Sequence, residues 1–437
     1  MPIPQIVILG GGFAGVAAAR RLESRLRDGE ASITLVSRDN FTLFTPMLPE
    51  VCSGGIETRH IVSPVRAQLR RAQYVLGEIT RIDLDAQRVD LQHTITGTTM
   101  TLGYDHLILA LGSVTTTFNI PGVAERSLPL KTIEDAETLR NRIIATLELA
   151  DVAVDPAERA RLLSYAVVGG GYTGCEAAGE LSDLFRSVTR FYKTIRCEEI
   201  NVTLVEAGKK LLPDLPAGMG EYTTEHLRKQ RVHLDIGDGV ALVDENGLTL
   251  QSGRRIEAST VIWSAGVRPA PAVLDLPVDH ARNGGIFTER DMQVRGRPGV
   301  WALGDCAWIP TAEADSWYPP TAQHAIREGP AVADNVIATL RKRPTKPFNY
   351  QSLGTMASLG GRRGVVAFPN GFILTGFVAW ALWRSYYLAR LPGIDRRLRV
   401  TVDWTLDLFF SRDIAEFRVY TERSHQMSAT SAGLVPK

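Results

Sequence analysis

The fold of this chain is decided by the stretch Tyr165-Ala-Val-Val-Gly-Gly-Gly-Tyr-Thr-Gly-Cys-Glu-Ala-Ala-Gly-Glu180. Its pattern predicts a short apolar strand, a tight glycine turn and a helix. Gly169, Gly171 and Gly174 form a G-x-G-x-x-G fingerprint in that setting. The first glycine makes the turn, the second lets the backbone approach a pyrophosphate, and the third lets helix and strand pack closely. Because backbone N–H groups at a helix N-terminus bind phosphate, the stretch predicts a dinucleotide site.

Two carboxylates accompany this predicted site. Glu206 ends the next apolar run, where an acid accepts hydrogen bonds from a ribose diol and disfavours a 2′-phosphate. Glu176 stands two residues past the last glycine and is predicted in the first turn of the helix. We interpret Glu176 as a carboxylate beside the redox centre. The alternative is an acid that is simply stabilised by the helix N-terminus.

A second fingerprint lies near the start of the chain, after a predicted buried strand at residues 5–9. It consists of Gly10, Gly12 and Gly15. One such motif is weak evidence, but two with their own strand–turn–helix settings indicate two dinucleotide sites. Ser37 stands where a ribose-binding acid is expected, and Asp39 or Arg38 is the candidate to replace it.

Later apolar runs repeat the same arrangement. Residues 104–113 and 259–269 each predict a strand that ends in a glycine turn, which indicates two Rossmann-like halves. Residues 299–307 predict a strand followed by Gly304 and Asp305, whose carboxylate is suited to a polyol such as the ribityl chain of a flavin. The alternative is an ordinary Gly-Asp turn.

Composition narrows the class of protein. The chain has 437 residues, 44% of them hydrophobic, and a formal net charge of +1, which argues against a nucleic-acid binder. Its four cysteines are scattered, so neither a redox dithiol nor a zinc site is predicted. No secretory signal and no apolar run of roughly 18 residues is present, so we expect an intracellular chain that does not span a membrane.

The remaining segments give local predictions. Helices are expected at residues 16–27, 134–149 and from 319 to about 340. Residues 40–65 predict a loop and a short helix, and residues 151–161 an exposed loop or helix end. Residues 371–383 predict a buried or interfacial helix, and residues 424–437 a disordered tail.

The C-terminal region predicts helices that lie on a surface. On a helical wheel, Asp403, Asp407 and Ser411 form one narrow polar stripe between apolar residues. Five arginines precede this helix, namely Arg384, Arg390, Arg396, Arg397 and Arg399. Apolar helices next to arginines suit a membrane interface, where arginine meets anionic lipid. A dimer interface or a cap domain is the competing interpretation.

Several blocks of this sequence resemble the type II NADH dehydrogenases, single-subunit flavoenzymes that reduce quinone without pumping protons. The resemblance extends over nearly the whole chain, to about residue 420. It rests on the two glycine motifs and on residues 44–54, 130–136, 262–266, 302–305, 320–323 and 376–383. The Pro-Thr-Ala-Gln helix and the tryptophan-rich C-terminal block are the features most particular to that family.

The resemblance implies an α/β fold with two Rossmann-like dinucleotide-binding domains and a membrane-associating helical region. The implied ranges are 1–122 and 286–345 for FAD, 123–285 for NADH, and 346–437 for attachment or dimerisation. The implied catalytic residues are Glu176, Gln323 and Arg327. The predicted cofactor-binding residues are Gly10, Gly12, Phe13, Ala14, Gly15, Arg38, Pro46, Ala110, Gly112, Gly304, Asp305, Ala322, Gly169, Gly171, Tyr172, Thr173, Gly174, Glu206, Ala265 and Gly266; no metal site is predicted.

The resemblance also implies a reaction. A hydride passes from NADH to FAD, and two electrons then pass to a quinone near Gln323 and Arg327, while Glu176 serves hydrogen bonding or proton supply. Arg327 stands where many family members have a second glutamine. We expect a peripheral protein on the cytoplasmic face of the cell membrane, and a homodimer.

Alternative functions on this fold are a reductase for a disulfide or for a protein redox partner, and a non-enzymatic NADH sensor. A disulfide reductase requires either a C-x₄-C pair, which the sequence lacks, or a single cysteine over the flavin, for which Cys52 is a remote candidate. Glu206 favours NADH over NADPH, although Lys209 and Lys210 lie close to it.

Overall fold

The computed structural model describes residues 2–216 and 218–416. Its helices are α1 Phe13–Arg25, α2 Leu48–Cys52, α3 Val65–Gln68, α4 Val123–Arg126, α5 Ile133–Val152, α6 Pro156–Leu162, α7 Tyr172–Val188, α8 Met219–Lys229, α9 Pro271–Leu274, α10 Ala322–Leu340, α11 Gly376–Arg390 and α12 Ile394–Phe409.

The strands of the first two-thirds of the chain are β1 Gln5–Leu9, β2 Ser32–Ser37, β3 Phe41–Leu43, β4 Val62–Pro64, β5 Gln73–Leu76, β6 Glu78–Asp83, β7 Arg88–Gln92, β8 Thr99–Gly103, β9 His106–Leu109, β10 Ser113–Thr115, β11 Leu128–Pro129, β12 Ser164–Val168, β13 Asn201–Glu206, β14 Val232–Ile236, β15 Val240–Asp244, β16 Gly247–Leu250, β17 Arg255–Glu257, β18 Thr260–Trp263 and β19 Val267–Pro269. The later strands are β20 Ile286–Phe287, β21 Val300–Ala302, β22 Ala307–Trp308, β23 Thr355–Ser358, β24 Gly364–Ala367 and β25 Ile373–Thr375.

The contacts divide the chain into two units. The first unit comprises Met1–Leu43, Val62–Val114 and Val267–Ser352. The second comprises Phe44–Ile61, Thr115–Gly266 and Leu353–Lys437, as far as these residues are described. The C-terminal helices therefore belong to the same unit as the fingerprint around Gly169. The cofactor domains predicted by residue range stay a prediction.

The first unit is built on a parallel sheet in the order β21-β9-β1-β2-β5. Its central strands are apolar and buried, as expected when helices cover both faces of a parallel sheet. The strand order reverses direction between β1 and β9, and ligands bind at such switch points, beyond the carboxyl ends of the strands. Gly10 and Gly12 follow the carboxyl end of β1 there.

The second unit repeats this plan with a parallel sheet in the order β11-β18-β12-β13-β14. Gly169 and Gly171 follow the carboxyl end of β12, between its neighbours β13 and β18. The predicted α/β fold with two Rossmann-like halves is therefore confirmed. A small antiparallel sheet, β23-β24-β25, belongs to the same unit.

Several local predictions were wrong. Residues 40–65 contain two short strands, β3 and β4, which pair with each other as an antiparallel ladder. Residues 156–162 form the helix α6, whose N-terminus is capped by the Asp155 side chain and begins with a proline. Residues 373–375 form β25, so α11 begins only at Gly376. The predicted tail at residues 424–437 lies outside the described residues.

A close contact between α1 and α10 in the first unit depends on Gly329. A Cβ atom there would lie 2.5 Å from the Ala14 carbonyl oxygen and 2.8 Å from the Ala17 Cβ. We expect Gly329→Ala to lower the free energy of unfolding by about 1–3 kcal/mol because backbone must move to make room. Helix propensity alone predicts the opposite sign, a gain of about 1 kcal/mol.

Chemical denaturation measures this prediction. Gly103→Ala is the matched control, since a Cβ atom at Gly103 meets no atom within 4 Å. A Gly329→Ala protein that is as stable as the wild type would contradict the close packing of α1 on α10.

Candidate functional site: two dinucleotide cradles and a buried carboxyl cluster

The two glycine turns have nearly the same backbone geometry. Gly10 has φ +115° and Gly169 has φ +113°, values that residues with a side chain rarely adopt. A Cβ atom on Gly15 would lie 2.0 Å from the Gly10 carbonyl oxygen, and one on Gly174 would lie 1.8 Å from that of Gly169. The first and third glycines of each motif are therefore required by the fold itself.

The middle glycines have a different environment. A Cβ atom on Gly12 or Gly171 would meet no atom within 4 Å. These glycines precede α1 and α7, and no side chain caps either helix. Each turn thus leaves open space in front of uncapped helical N–H groups, which is the arrangement that binds pyrophosphate. Both turns therefore fit the pyrophosphate of a dinucleotide.

The two glycine turns with their helix N-termini are called cradles below. They differ at the end of the strand that follows each turn. Glu206 ends β13, and its carboxylate accepts hydrogen bonds from the backbone N–H groups of Gly170 and Gly208, the latter at 2.6 Å. Ser37 ends β2 at the matching position, beside Gly11. Arg38 is exposed and lies 3.6 Å from the Asp39 carboxylate. The end of β2 thus carries the Ser37 hydroxyl, where the end of β13 carries a carboxylate.

The glycine turns predicted after the later strands, at Gly112 and Gly266, lie in the same units as the first and second glycine fingerprints. In the first unit the Gly10 Cβ position abuts the Ala110 carbonyl oxygen, and Gly112 has φ +67°. In the second unit a Cβ atom on Gly169 would lie 2.9 Å from the Ala265 nitrogen, and Gly266 has φ +70°.

The predicted flavin aspartate lies in a 3₁₀ helix, Gly304–Cys306. The Ser113 hydroxyl donates a 2.6 Å hydrogen bond to the Asp305 carboxylate. The Gly304 N–H donates a 2.7 Å bond to Glu328 on α10. Glu328 is 2% exposed, and burial raises its pKa to about 7. The sequence reasoning missed Glu328, although an acid among the apolar positions of α10 was a visible signal.

The other predicted cofactor residues are placed by their helices. Phe13 and Ala14 open α1, and Tyr172 and Thr173 open α7. Ala322 is the first residue of α10. Pro46 lies in a 3₁₀ helix, Thr45–Met47, of the second unit, whereas the other residues predicted for FAD lie in the first.

Gln323 and Arg327 meet at the start of α10, where the Thr321 side chain caps the helix. The Tyr350 hydroxyl donates a 2.6 Å hydrogen bond to Gln323 Oε1. The Arg327 guanidinium donates to the Gln323 carbonyl oxygen at 2.8 Å and stacks 4.5 Å from the Tyr350 ring centroid. Tyr350 was not predicted, because it comes from a different segment. The three side chains form one polar, aromatic group in the first unit.

Glu176 lies in the second turn of α7 rather than the first, since the helix begins at Tyr172. The Ser358 N–H and Trp383 Nε1–H donate hydrogen bonds of 3.0 and 3.1 Å to its Oε1 atom. It is 8% exposed, and burial raises its pKa from 4.5 to about 8, although both donors oppose the change. The carboxyl is thus held by the C-terminal region and is not merely an acid at a helix N-terminus.

Two further buried carboxylates lie in the same unit and were missed in the sequence. Glu50 is 2% exposed and accepts hydrogen bonds from Arg384 at 3.0 Å and from Trp404 Nε1 at 3.1 Å. Glu180 is 4% exposed and accepts from Arg412 at 2.9 Å. Burial raises the pKa of Glu50 to about 7 and also raises that of Glu180, against the neighbouring guanidinium charges.

Arg384 joins the two C-terminal helices inside this cluster. Its guanidinium lies 4.3 Å from the Trp380 ring and 4.5 Å from the Trp404 ring, so it is placed between two aromatic faces. The Arg384 guanidinium therefore forms its ion pair with Glu50 and its cation–π contacts with Trp380 and Trp404. The prediction that it meets lipid together with the other arginines is not supported by this geometry.

The polar stripe of α12 faces its own unit. Asp403 accepts hydrogen bonds from His60 and from the Glu57 N–H, and Asp407 accepts from Arg412. The exposed apolar side chains of α11 and α12 are Phe377, Val378, Ile394, Leu398, Val402, Leu406, Leu408 and Phe409. An exposed apolar face of this extent is typical of a membrane or protein interface.

The described residues contain neither a membrane-spanning helix nor a cluster of metal ligands. None of their helices combines the length and apolar character needed to cross a bilayer. Within residues 2–216 and 218–416, no group of three or more His, Cys, Asp or Glu side chains is arranged to hold a metal ion.

Two family models match the chain. The model described as pyridine nucleotide-disulphide oxidoreductase matches residues 4–329. The model described as the NDH2 C-terminal domain matches residues 352–413. Together they include both fingerprints and both C-terminal helices.

Named relatives resemble the chain over nearly its full length. A type II NADH:quinone oxidoreductase of Mycobacterium tuberculosis is 33% identical over 93% of this chain and 89% of its own. External NADH-ubiquinone oxidoreductase 2 of Saccharomyces cerevisiae is 31% identical over 94% and 82%. The solved structure of NDH2 from Plasmodium falciparum in complex with NADH has the same fold, with a TM-score of 0.87, 23% identity and coverage of 95% and 100%.

Proposed function

Since the chain belongs to the type II NADH:quinone oxidoreductase family, we propose that Glu176 acts where NADH is oxidised and that Gln323 and Arg327 recognise the quinone. The chain is an FAD-dependent oxidoreductase that transfers two electrons from NADH to a quinone. The observation that supports this function best is the pair of open glycine cradles on one chain, each followed by uncapped helical N–H groups.

The residues of the cradles provide binding and orientation, and the cofactor provides the redox chemistry. In the proposal, Gly12 and the start of α1 hold the FAD pyrophosphate, and Gly171 and the start of α7 hold that of NADH. Glu206 accepts the hydroxyl groups of the NADH ribose. When bound, FAD accepts two electrons from NADH and releases them to the quinone.

The steady-state experiment compares NADH with NADPH, using purified FAD-loaded protein and a short-chain quinone. Wild type, Glu176→Gln and Gln323→Ala are measured side by side. We expect fast NADH–quinone turnover that both substitutions weaken. Fast reduction of ferricyanide by NADH without quinone turnover would contradict the quinone function and point to a different acceptor.

Gln323 is proposed to donate its side-chain amide to a quinone carbonyl. We expect Gln323→Ala to raise the quinone KM about 10-fold, because one hydrogen bond of about 1–1.5 kcal/mol is lost. The ferricyanide rate should not change, since ferricyanide needs no shaped site. Arg327→Gln, which installs the glutamine common in the family, is the matched variant and should keep quinone turnover. An unchanged quinone KM in Gln323→Ala would contradict this assignment.

We further propose that the exposed apolar faces of α11 and α12 bind a membrane surface, with Arg390, Arg397 and Arg399 meeting anionic headgroups. These three arginines are exposed, unlike Arg384. Flotation with vesicles that contain anionic phospholipid tests the proposal. We expect binding to weaken in Phe377→Ser and Leu406→Ser. A stable dimer without vesicle binding would indicate that the same faces join two copies instead. Placement on the cytoplasmic face and the homodimer stay predictions.

A further inference from the structure

Three carboxyl groups are buried among the described residues of the second unit, and two of them pair with a guanidinium group. Arg384 pairs with Glu50 and Arg412 pairs with Glu180. Glu176 pairs with no cation among the described residues; its two donors are the neutral Ser358 N–H and Trp383 Nε1–H. A buried carboxyl without a cation keeps a proton, because its charged form is poorly solvated. Glu176 is thus the protonated member of the three.

Glu176 and Glu180 lie one helical turn apart on α7. Residues at i and i+4 share a face of a helix, with Cβ atoms about 5–6 Å apart. The Glu180 charge raises the pKa of Glu176, so the two carboxyl groups interact. One bridging water molecule would complete a path for proton transfer between them.

A cavity of about 390 Å³ reaches Glu180 within the second unit. Its ionisable lining includes Glu180, Asp183, Asp407, Arg186, Arg384 and Arg412. Polar walls and this volume suit several water molecules. Glu180 therefore lines this cavity and lies one helical turn from Glu176.

The overall reaction consumes one proton, so the site needs a supply of protons. NADH, quinone and one proton yield NAD⁺ and quinol, so each turnover takes one proton from solvent. Both electrons and the second hydrogen of the quinol come from NADH. A carboxyl that supplies this proton must regain one before the next turnover.

We propose that Glu180 is the entry residue of a proton relay, which takes a proton from water in the cavity and returns it to Glu176 after each turnover. The proposal rests on the proposed function, which puts Glu176 where NADH is oxidised, and adds that Glu176 supplies the proton that each turnover consumes. Glu180 touches neither substrate nor cofactor in this scheme, so it is a positioning and relay residue. Other titratable groups that face Glu176 or Glu180 are Tyr172, Cys175, Tyr387, Glu50, Cys52 and Asp183.

The main test is Glu180→Gln, assayed with NADH against a short-chain quinone and against ferricyanide. Ferricyanide reduction takes up no proton, so it reports cofactor binding and flavin reduction alone. We expect the quinone rate to fall about 10- to 100-fold, more at higher pH, with a larger solvent deuterium isotope effect. The ferricyanide rate should stay at the wild-type value. Glu180→Asp should recover part of the quinone rate. Glu221→Gln, on the exposed side of α8, is the matched control.

A second variant separates the relay from a structural role. Glu180→Gln leaves Arg412 without its closest partner, which destabilises the protein. The double variant Glu180→Gln/Arg412→Met removes both members of the pair. We expect it to recover thermal stability but not the quinone rate. Recovery of the quinone rate in the double variant, or a parallel loss of both activities in Glu180→Gln, would overturn the relay.

The protonation state of Glu176 is tested by the pH dependence of thermal stability, which needs no catalytic turnover. Its pKa rises from 4.5 to about 8 on folding, so the folded state binds more protons between these values. This contribution to stability is fully present below the unfolded pKa and is lost as pH rises through about 8. We expect the unfolding temperature of the wild type to fall over this range, and that of Glu176→Gln to fall less. Equal slopes would overturn the assignment of the stored proton. A wild type that reduces ferricyanide but no quinone would refute the proposed function instead.

Discussion

Replacing Gly171 with valine should abolish NADH binding while the protein stays folded with FAD bound. A Cβ atom at Gly171 meets no atom within 4 Å, and the backbone there, at φ −76° and ψ −169°, is extended and accepts any residue. The new side chain would fill the space in front of the helical N–H groups. Losing two charge-assisted hydrogen bonds of about 1.5–3 kcal/mol each weakens binding at least about 100-fold. The NADH KM and the dissociation constant from titration measure this effect.

Two related substitutions make the result specific. Gly12→Val should remove FAD instead, since Gly12 has the same open environment in the first unit. Gly174→Val should prevent folding, because its Cβ would lie 1.8 Å from the Gly169 carbonyl oxygen. An unchanged NADH KM in Gly171→Val would show that the second fingerprint does not hold the dinucleotide.

Substitution of Glu206 should change the choice between NADH and NADPH. Glu206→Ser installs the residue that occupies the matching position of the first cradle, Ser37. We expect kcat/KM for NADH to fall about 100-fold, because hydrogen bonds to a carboxylate contribute about 1.5–3 kcal/mol each. The kcat/KM for NADPH should rise, since the repulsion of its 2′-phosphate disappears while Lys209 and Lys210 remain exposed nearby.

Glu206→Gln is the control for this prediction. It keeps one acceptor oxygen, which can bond either the Gly170 or the Gly208 N–H group, and removes the charge. Its preference for NADH should lie between those of wild type and Glu206→Ser. A ratio of NADH to NADPH efficiency that is the same in all three proteins would refute the role of Glu206.

The parts of the fold that sequence reasoning predicted are those that local geometry determines. The turns at Gly10 and Gly169 require glycine because of their backbone angles and the close approach of the third glycine. The same spacing therefore marks the turn, the strand before it and the helix after it. The helix at residues 156–162 had a local signal too, since Asp155 followed by a proline is a typical helix start.

The strands that were missed depend on distant partners. Thr42 pairs with Ser63, and Leu374 pairs with Val366, so neither β3 nor β25 shows an alternating pattern long enough to recognise. Three residues do not establish a period of two. Their structure is decided by the ladder and not by their own residues.

The buried carboxyl cluster was missed for a similar reason. Glu50 lies 334 residues before Arg384 and 354 before Trp404 in the sequence. Each residue, taken alone, has the composition of an ordinary surface or apolar segment. Only the folded structure shows that these side chains form ion pairs and hydrogen bonds with one another. Gln323 and Arg327 were placed on one helix face because they are four positions apart, and their role was predicted from the family resemblance. Tyr350 comes from a different segment and was not predicted.

The pairing of Arg384 and Arg412 with buried acids has a consequence for modularity. One matched family model ends at residue 329 and the other begins at residue 352, which suggests a catalytic core and a separable C-terminal segment. The ion pairs of Arg384 with Glu50 and of Arg412 with Glu180 contradict a division into two independent segments. A chain truncated before residue 352 would lose the guanidinium partners of Glu50 and Glu180 and the Trp383 and Trp404 N–H donors to Glu176 and Glu50. The C-terminal segment is therefore an integral part of the polar core of the second unit.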